Sequence, residues 1–168
     1  MQEAELLQDA HSGSYLLTPA GYKMLHAELE QLTQVKRPEI ADRIRESQQH
    51  GEFSEDNSEL DEVKFEQAMV ESRIAELKGI FGSAQVLEPD SIPTDYVGLG
   101  SFATVRDLDF DDEFKVRIVA SIEADPEKDL ISNESPMGLA LIGHKKDEKV
   151  SFQTPDGTKH YRILSIER

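Results

Sequence analysis

The chain has no cysteine, which excludes a disulfide scaffold and thiolate metal sites. It is also short of positive charge: 18 Lys and Arg stand against 34 Asp and Glu, a formal net charge of -16 at pH 7. A field of that sign repels phosphate, so the chain as a whole is not steered to nucleic acid, and free DNA binding is not expected. A protein partner with a basic channel suits it better. No apolar run approaches the ~20 residues of a spanning helix. Residues 1–14, MQEAELLQDAHSGS, lack the basic and apolar regions of a signal peptide, so a cytoplasmic protein is expected. A Gly-rich phosphate loop is missing. The histidines (His11, His26, His50, His144, His160) are scattered, and none sits at metal-ligand spacing. No nucleophile has a base beside it. The chain does not read as a self-contained enzyme.

What is there begins with a lean composition, 38% hydrophobic and 31% charged over 168 residues, which suits an elongated helical part better than a large globule. Residues 1–14 read as a loosely ordered arm. Thr18-Pro19 is a helix start, with Thr as N-cap and Pro at the first helical position. Tyr22, Leu25, Leu29, Leu32 and Val35 then recur at three or four residues, and Ile40 and Ile44 continue the stripe to a stop at Gly51. Pro38 should kink this helix or interrupt one of its hydrogen bonds. A second stripe, Leu60, Val63, Gln67, Val70, Ile74, Leu77 and Phe81, opens near Ser58 and ends at Gly82. Two such helices joined by a short turn predict an antiparallel coiled-coil hairpin. The first, from about residue 19 to 50, would be roughly 45–50 Å long.

Residues 88–98 (EPDSIPTDYVG) read as a linker, after which the period changes from helix to strand. Ser101–Arg106 predicts a strand and DLDFDD at 107–112 an acidic hairpin tip. Phe114, Val116 and Ile118 alternate with polar neighbours, as do Val150 and Phe152, and Thr154-Pro155-Asp156-Gly157 signals a turn. Beyond it, Tyr161, Ile163 and Ser165 are placed on one face and Arg162, Leu164 and Ile166 on the other. Ser135-Pro136 caps a short helix through Leu141, stopped at Gly143. The expectation is an α+β chain: arm 1–14, hairpin 15–87, linker 88–98, and an antiparallel sheet domain with one short helix at 99–168.

Candidate chemistry lies where the two helices meet. Residues 51–62, GEFSEDNSELDE, hold six carboxylates and no basic residue. Glu52, Glu55 and Asp56 are close enough to share a cation. Mg²⁺ takes oxygen ligands and keeps several waters, so an exposed pair holds it weakly until a partner completes the site. A solvated acidic turn is the alternative, and an EF-hand is excluded by the residue order. Just before the tip stand Lys36, Arg37, Arg43 and Arg45. They suit either helix ion pairs with Glu39, Asp42 and Glu46 or contact with a phosphate backbone.

These residues resemble the bacterial Gre transcript cleavage factors. The resemblance runs from about residue 15 to 166. It is carried by Leu17-Thr18-Pro19-Ala20-Gly21-Tyr22, by Arg37-Pro38-Glu39-Ile40, and by Asn57-Ser58-Glu59-Leu60-Asp61 with Lys64, Glu66-Gln67-Ala68, Glu71 and Arg73-Ile74. Ser83-Ala84-Gln85-Val86 and Ser135 to Gly143 (SPMGLALIG) complete it. It implies a C-terminal domain of FKBP-like fold without prolyl isomerase activity. It further implies a monomeric accessory factor that docks on RNA polymerase, with Ser135, Pro136, Met137, Gly138 and Leu139 in the docking region. The hairpin would enter the secondary channel, and Glu52 and Glu55, with Asp56 beside them, would help hold Mg²⁺ shared with the polymerase. The polymerase would then cleave the backtracked nascent RNA, whose 3′ segment the basic cluster would touch.

The tip departs from the family run Gly-Asp-apolar-x-Glu-Asn-x-Glu-Tyr. Gly51 to Leu60 is one residue longer. Registered from Gly51, the catalytic carboxylates are Glu52 and Glu55; registered from Asn57, their positions fall on Phe53 and Asp56 and one acid is lost. The first register is favoured, because Phe53 then fills the apolar position. A channel-binding factor that inhibits without cleavage, or a non-catalytic assembly hairpin, are the alternative readings.

Overall fold

The computed structural model describes residues 15–50 and 58–168, which form two compact units. The first comprises, among the described residues, Tyr22–Ala84; the second comprises residues 15–21 and Gln85–Arg168.

The first unit is a helix pair. Helix α1 (Pro19–Gln31) passes through a π-helical turn, Leu32–Lys36, into α2 (Arg37–His50). The second arm is α3 (Ser58–Ser83). Val63, Val70, Ile74, Leu77 and Ile80 of α3 are buried. Ile40, Val63, Val70 and Ile74 form one cluster, with Leu29, Leu32 and Ile44 packed against it. At one end Phe81 meets the rings of Tyr22 and His26 edge to face, with Tyr22–Phe81 centroids 5.2 Å apart, while Tyr22 and His26 lie nearly parallel.

The π turn is how the helix accommodates Pro38. Proline has no N–H to donate and its ring would press on the carbonyl four residues back. In the π turn the Arg37 N–H reaches back to the Leu32 carbonyl, a five-residue step that adds one residue to the turn. The Thr33 hydroxyl donates to the Leu29 carbonyl at 2.8 Å. The extra residue rotates the stripe. Val35, expected on the apolar face, is 40% exposed, whereas Ile40 is 2% exposed.

The second unit is built on a five-stranded sheet in the order β5-β4-β3-β7-β6. Its strands are β3 (Phe102–Asp107), β4 (Glu113–Val119), β5 (Leu130–Ser132), β6 (Lys149–Thr154) and β7 (Gly157–Glu167). All neighbours are antiparallel except β4 and β5. Strand alternation puts Ala103, Val105, Val116, Ile118, Val150, Tyr161 and Ile163 on one face, where they form the core with Val97 and Leu141. Helix α4 (Pro136–Leu141) supplies Leu141. A bulge between Thr104 and Val105 pairs them with Ser165 and Ile163, skipping Leu164. Beyond the bulge the facing of β7 therefore inverts: Ile166, expected opposite Tyr161 and Ile163, packs against the core with them.

Two short strands escape the pattern reading: β1 (Tyr15–Leu17) and β2 (Ala84–Val86), which pair with each other. The stretch expected as a linker, 88–98, is folded onto the second unit. It opens with a 3₁₀ turn at Pro89–Ser91 and buries Ile92 and Val97. Val97 is tied at both ends of its peptide, its N–H to the His144 carbonyl and its carbonyl to the Gly143 N–H, each at 2.8 Å. Its prolines and aspartates shape turns, while two apolar side chains anchor it.

Candidate functional site

Glu52, Glu55 and Asp56 lie outside the described residues, and so does the choice between the two tip registers. The helices that carry the tip are described up to its edges, and their ion pairs fix their relation. Arg73 forks onto Glu28 (2.6 and 2.9 Å), Arg37 forks onto Glu71 (2.7 and 2.8 Å), and Arg43 reaches Glu66 at 2.6 Å. Ordered along the first arm, the pairs are Glu28–Arg73, Arg37–Glu71 and Arg43–Glu66, rising on one side as they fall on the other, so the two helices run antiparallel toward the acidic segment that joins them. Planar guanidinium forks impose direction as well as attraction, which suits them to hold register.

The basic cluster is thereby accounted for. Lys36 (2.7 Å) and Arg43 (2.6 Å) share the Glu66 carboxylate from its two sides. Arg37 is held by Glu71, and Arg45 pairs with Asp42 at 3.1 Å on its own helix. The Arg45–Asp42 pair is the within-helix kind expected from sequence. Arg43 instead chooses the opposite helix, because Glu66 already faces it across the pair. Lys36 and Arg43 hold the Glu66 carboxyl below the ordinary carboxylate value, and Arg37 does the same to Glu71. All four cations are partly exposed, and each is committed to a carboxylate.

The SPMGL segment divides into builders and presenters. Ser135 is the N-cap of α4: its hydroxyl accepts from the Gly138 N–H at 3.0 Å and donates to the Ser132 carbonyl at 2.7 Å. Gly138 is buried, and a Cβ there would stand 2.0 Å from the Ser132 carbonyl oxygen. Only glycine lets the helix approach β5 so closely. Pro136 and Met137 line an apolar cavity of about 370 Å³ that also involves Pro126, Leu130, Phe152 and Pro155. Leu139 points outward, 65% exposed. Four of the five expected docking residues thus hold or face one groove and its helix, and the fifth offers an exposed apolar side chain beside them.

Residues 15–86 match the family described as "Transcription elongation factor, N-terminal", and residues 92–168 match "Transcription elongation factor, GreA/GreB, C-term". The chain belongs to the GreA/GreB transcription elongation factor family. It is 46% identical over 154 residues to transcription elongation factor GreA of Clostridium kluyveri, covering 92% of this chain and 96% of that one. GreA of Clostridioides difficile gives the same identity and coverage. Among solved structures, GreA factor homolog 1 of Thermus thermophilus is 32% identical, covers 92% of this chain and 99% of its own, and superposes with a TM-score of 0.43.

In this Gre-family chain one polar cluster had no signal in the sequence reading. Glu123, 6% exposed, accepts from the Thr18 N–H at 2.9 Å, and the Thr18 hydroxyl donates to its other oxygen. The Thr18 hydroxyl in turn accepts from the Gly21 N–H at 3.1 Å, the N-cap bond expected of Thr18. A Cβ on Gly21 would meet the Glu123 carboxyl at 1.9 Å. A carboxylate at the start of α1 faces the positive end of its dipole. The partners lie 105 residues apart, so no local pattern could announce them. Among the described residues no group of three or more His, Asp or Glu is placed to hold a metal.

Proposed function

We propose that this chain stimulates the intrinsic endonuclease activity of RNA polymerase on backtracked nascent RNA, restarting arrested elongation in the cytoplasm, and that it acts as a monomer. The single observation that carries the reading is the family match across both units. The antiparallel helices that meet at the acidic segment support it further. The tip donors are all hard carboxylate oxygens, the set Mg²⁺ prefers, and too few to complete its shell alone. Glu52 and Glu55 would hold the ion together with ligands of the polymerase. When bound, the ion supplies Lewis-acid activation of water and charge stabilisation. Asp56 neighbours them and would orient a water. The ion pairs of Arg37, Arg43 and Arg73 keep the two arms in register, so the tip is delivered as a unit. Contact of Lys36, Arg37, Arg43 and Arg45 with the RNA 3′ segment would require exchanging carboxylate for phosphate. The groove beside α4, with Leu139 at its rim, is the proposed docking surface on polymerase.

The test is RNA cleavage in a stalled, backtracked elongation complex. Wild-type protein should accelerate it. Glu52→Ala and Glu55→Ala should each abolish most of the acceleration while polymerase binding persists, since water and metal positioning act in the transition state. A silent Glu52→Ala beside a crippling Asp56→Ala would select the other tip register. The extra tip residue favours one further reading, a factor that binds the same channel and inhibits. Slowed elongation without cleavage in the same assay would establish it.

A further inference from the structure

The face of the sheet opposite the core is basic in a chain that is otherwise strongly acidic. Register alone brings this about. Arg106 of β3 stands directly opposite Arg162 of β7, and Arg162 directly opposite Lys149 of β6. Directly paired residues share a face, so three cations form a row across three neighbouring strands. At strand spacings of 4.7–4.9 Å the row spans about 10 Å. On the other side of β3, Phe102 faces Arg117 and Thr104 faces Lys115. The Phe102 ring lies beneath both, 4.9 Å from the Lys115 ammonium and 4.6 Å from the Arg117 guanidinium. Three carboxylates answer these cations: Glu113 and, at 3.6 Å, Asp111 are paired with Arg106, and Glu167 is paired with Lys115 at 2.5 Å.

Lys149 and Arg162 differ from every cation of the helix pair discussed above. Neither has a carboxylate within ion-pair distance among the described residues, and the buried Arg162 Nε–H has no hydrogen-bond partner. Leaving a buried donor unmet costs stability. Like charges directly opposed on adjacent strands add a smaller cost. Within the row, Glu113 and Asp111 compensate Arg106, while Arg162 and Lys149 have no such partner among the described residues.

We infer that this face binds the backbone of single-stranded RNA. Lys149 and Arg162, free of carboxylates, offer charge to adjacent phosphates, and Arg106 would join them by exchanging Glu113 and Asp111 for phosphate. The Arg117 guanidinium, 4.6 Å from the Phe102 centroid, adds a flat cationic surface on which a base can stack. The choice of RNA as occupant rests on the transcript-cleavage reading, under which extruded nascent RNA is the single strand at hand.

The test uses the full chain and a short labelled oligouridylate, without polymerase, followed by fluorescence anisotropy as salt is raised from a low value. Wild-type protein should bind with a steep salt dependence. Lys149→Gln with Arg162→Gln should weaken binding about tenfold and reduce the slope of log affinity against log salt by about 1.4, from two lost phosphate contacts. Lys149→Glu alone, at an exposed position, should weaken it as well with an unchanged circular dichroism spectrum, which separates binding from folding. Absence of RNA binding by the wild type at low salt, or equal binding by all three proteins, overturns the inference. So does displacement of the RNA by polyglutamate as readily as by unlabelled polyuridylate, which would assign the face to an acidic protein. Because polymerase is absent, these failures leave the cleavage reading untouched. A failed cleavage assay beside intact RNA binding would sink that reading alone.

Discussion

The two units solve the same problem, holding distant segments in one register, with different materials. In the helix pair the means are long side chains: Arg37, Arg43 and Arg73 reach across to Glu71, Glu66 and Glu28. In the sheet unit the means are missing side chains. Gly138 lets α4 touch the β5 backbone, and Gly21 leaves room for the Glu123 carboxylate. The difference teaches where each unit is vulnerable. Ion pairs at a surface can be exchanged one at a time at small cost. A close backbone approach has no partial version.

Glycine-to-alanine changes should therefore have opposite signs in the two units. The largest effect is expected from Gly138→Ala. Its Cβ would meet a backbone oxygen at 2.0 Å, which cannot rotate away, so the loss should be about 3 kcal/mol or more. Urea denaturation of the full chain reads it, and a near-neutral result would mean that α4 shifts freely. Next comes the Thr18 cluster. Gly21→Ala displaces the Glu123 carboxyl and should cost about 1–3 kcal/mol, the penalty for unmet buried polar groups. Combining it with Glu123→Ala should cost much less than the two losses added, because both act on one contact. Additive losses in that double-mutant cycle would disprove the coupling.

A smaller effect of the opposite sign is expected in the helix pair. Gly79 is exposed within α3, and a Cβ there meets nothing within 4 Å. Gly79→Ala should raise stability by about 0.5–1 kcal/mol, because alanine has less chain entropy to lose and better helix propensity. A loss of melting temperature would refute it. The smallest effect belongs to the ion pairs. Glu66 and Glu71 are held below their ordinary value of 4.5 by Lys36, Arg43 and Arg37. A lowered carboxylate contributes stability that is fully present above 4.5 and is lost as pH falls through the lowered value. Acid titration of helical circular dichroism should show the helix pair weakening below that pH. Glu66→Gln with Glu71→Gln should flatten the titration, and added salt should flatten it too.

The helix pair was legible because its signal is local. Thr18-Pro19, the three-four spacing and the start at Ser58 each need only a few neighbouring residues. What failed there was Gln67, placed on the second stripe but exposed, and Val35, displaced from the first by a turn whose cause, Pro38, was visible but whose form was not. In the sheet unit the strands, the Ser135 cap and the stop at Gly143 (φ 83°) were legible from alternation and turn residues. The parallel strand β5, three residues long, carries too little alternation to be seen. Ile166 was assigned to the wrong face because a bulge on β7 answers to its partner strand, not to its own sequence. Residues 88–98 looked like a linker because proline and aspartate dominate, while Val97 is held through its backbone. Of the candidate site, the paired cations and the α4 groove could be placed; the carboxylates of Glu52, Glu55 and Asp56 lie outside the described residues.

The π turn at Leu32–Lys36 acts as a phase adjuster. At 3.6 residues per turn, removing one residue from it would rotate everything from Arg37 to His50 by about 100° about the helix axis. Ile40 would then swing off the seam it shares with Val63, and Arg37 and Arg43 would turn away from Glu71 and Glu66. Every residue could stay helical, yet the arm would present a different side to its partner. Single substitutions at Thr33 or Val35 leave this azimuth alone. A one-residue insertion or deletion resets it for all of α2, so it is the length of this segment, more than its composition, that decides which side α2 turns toward α3.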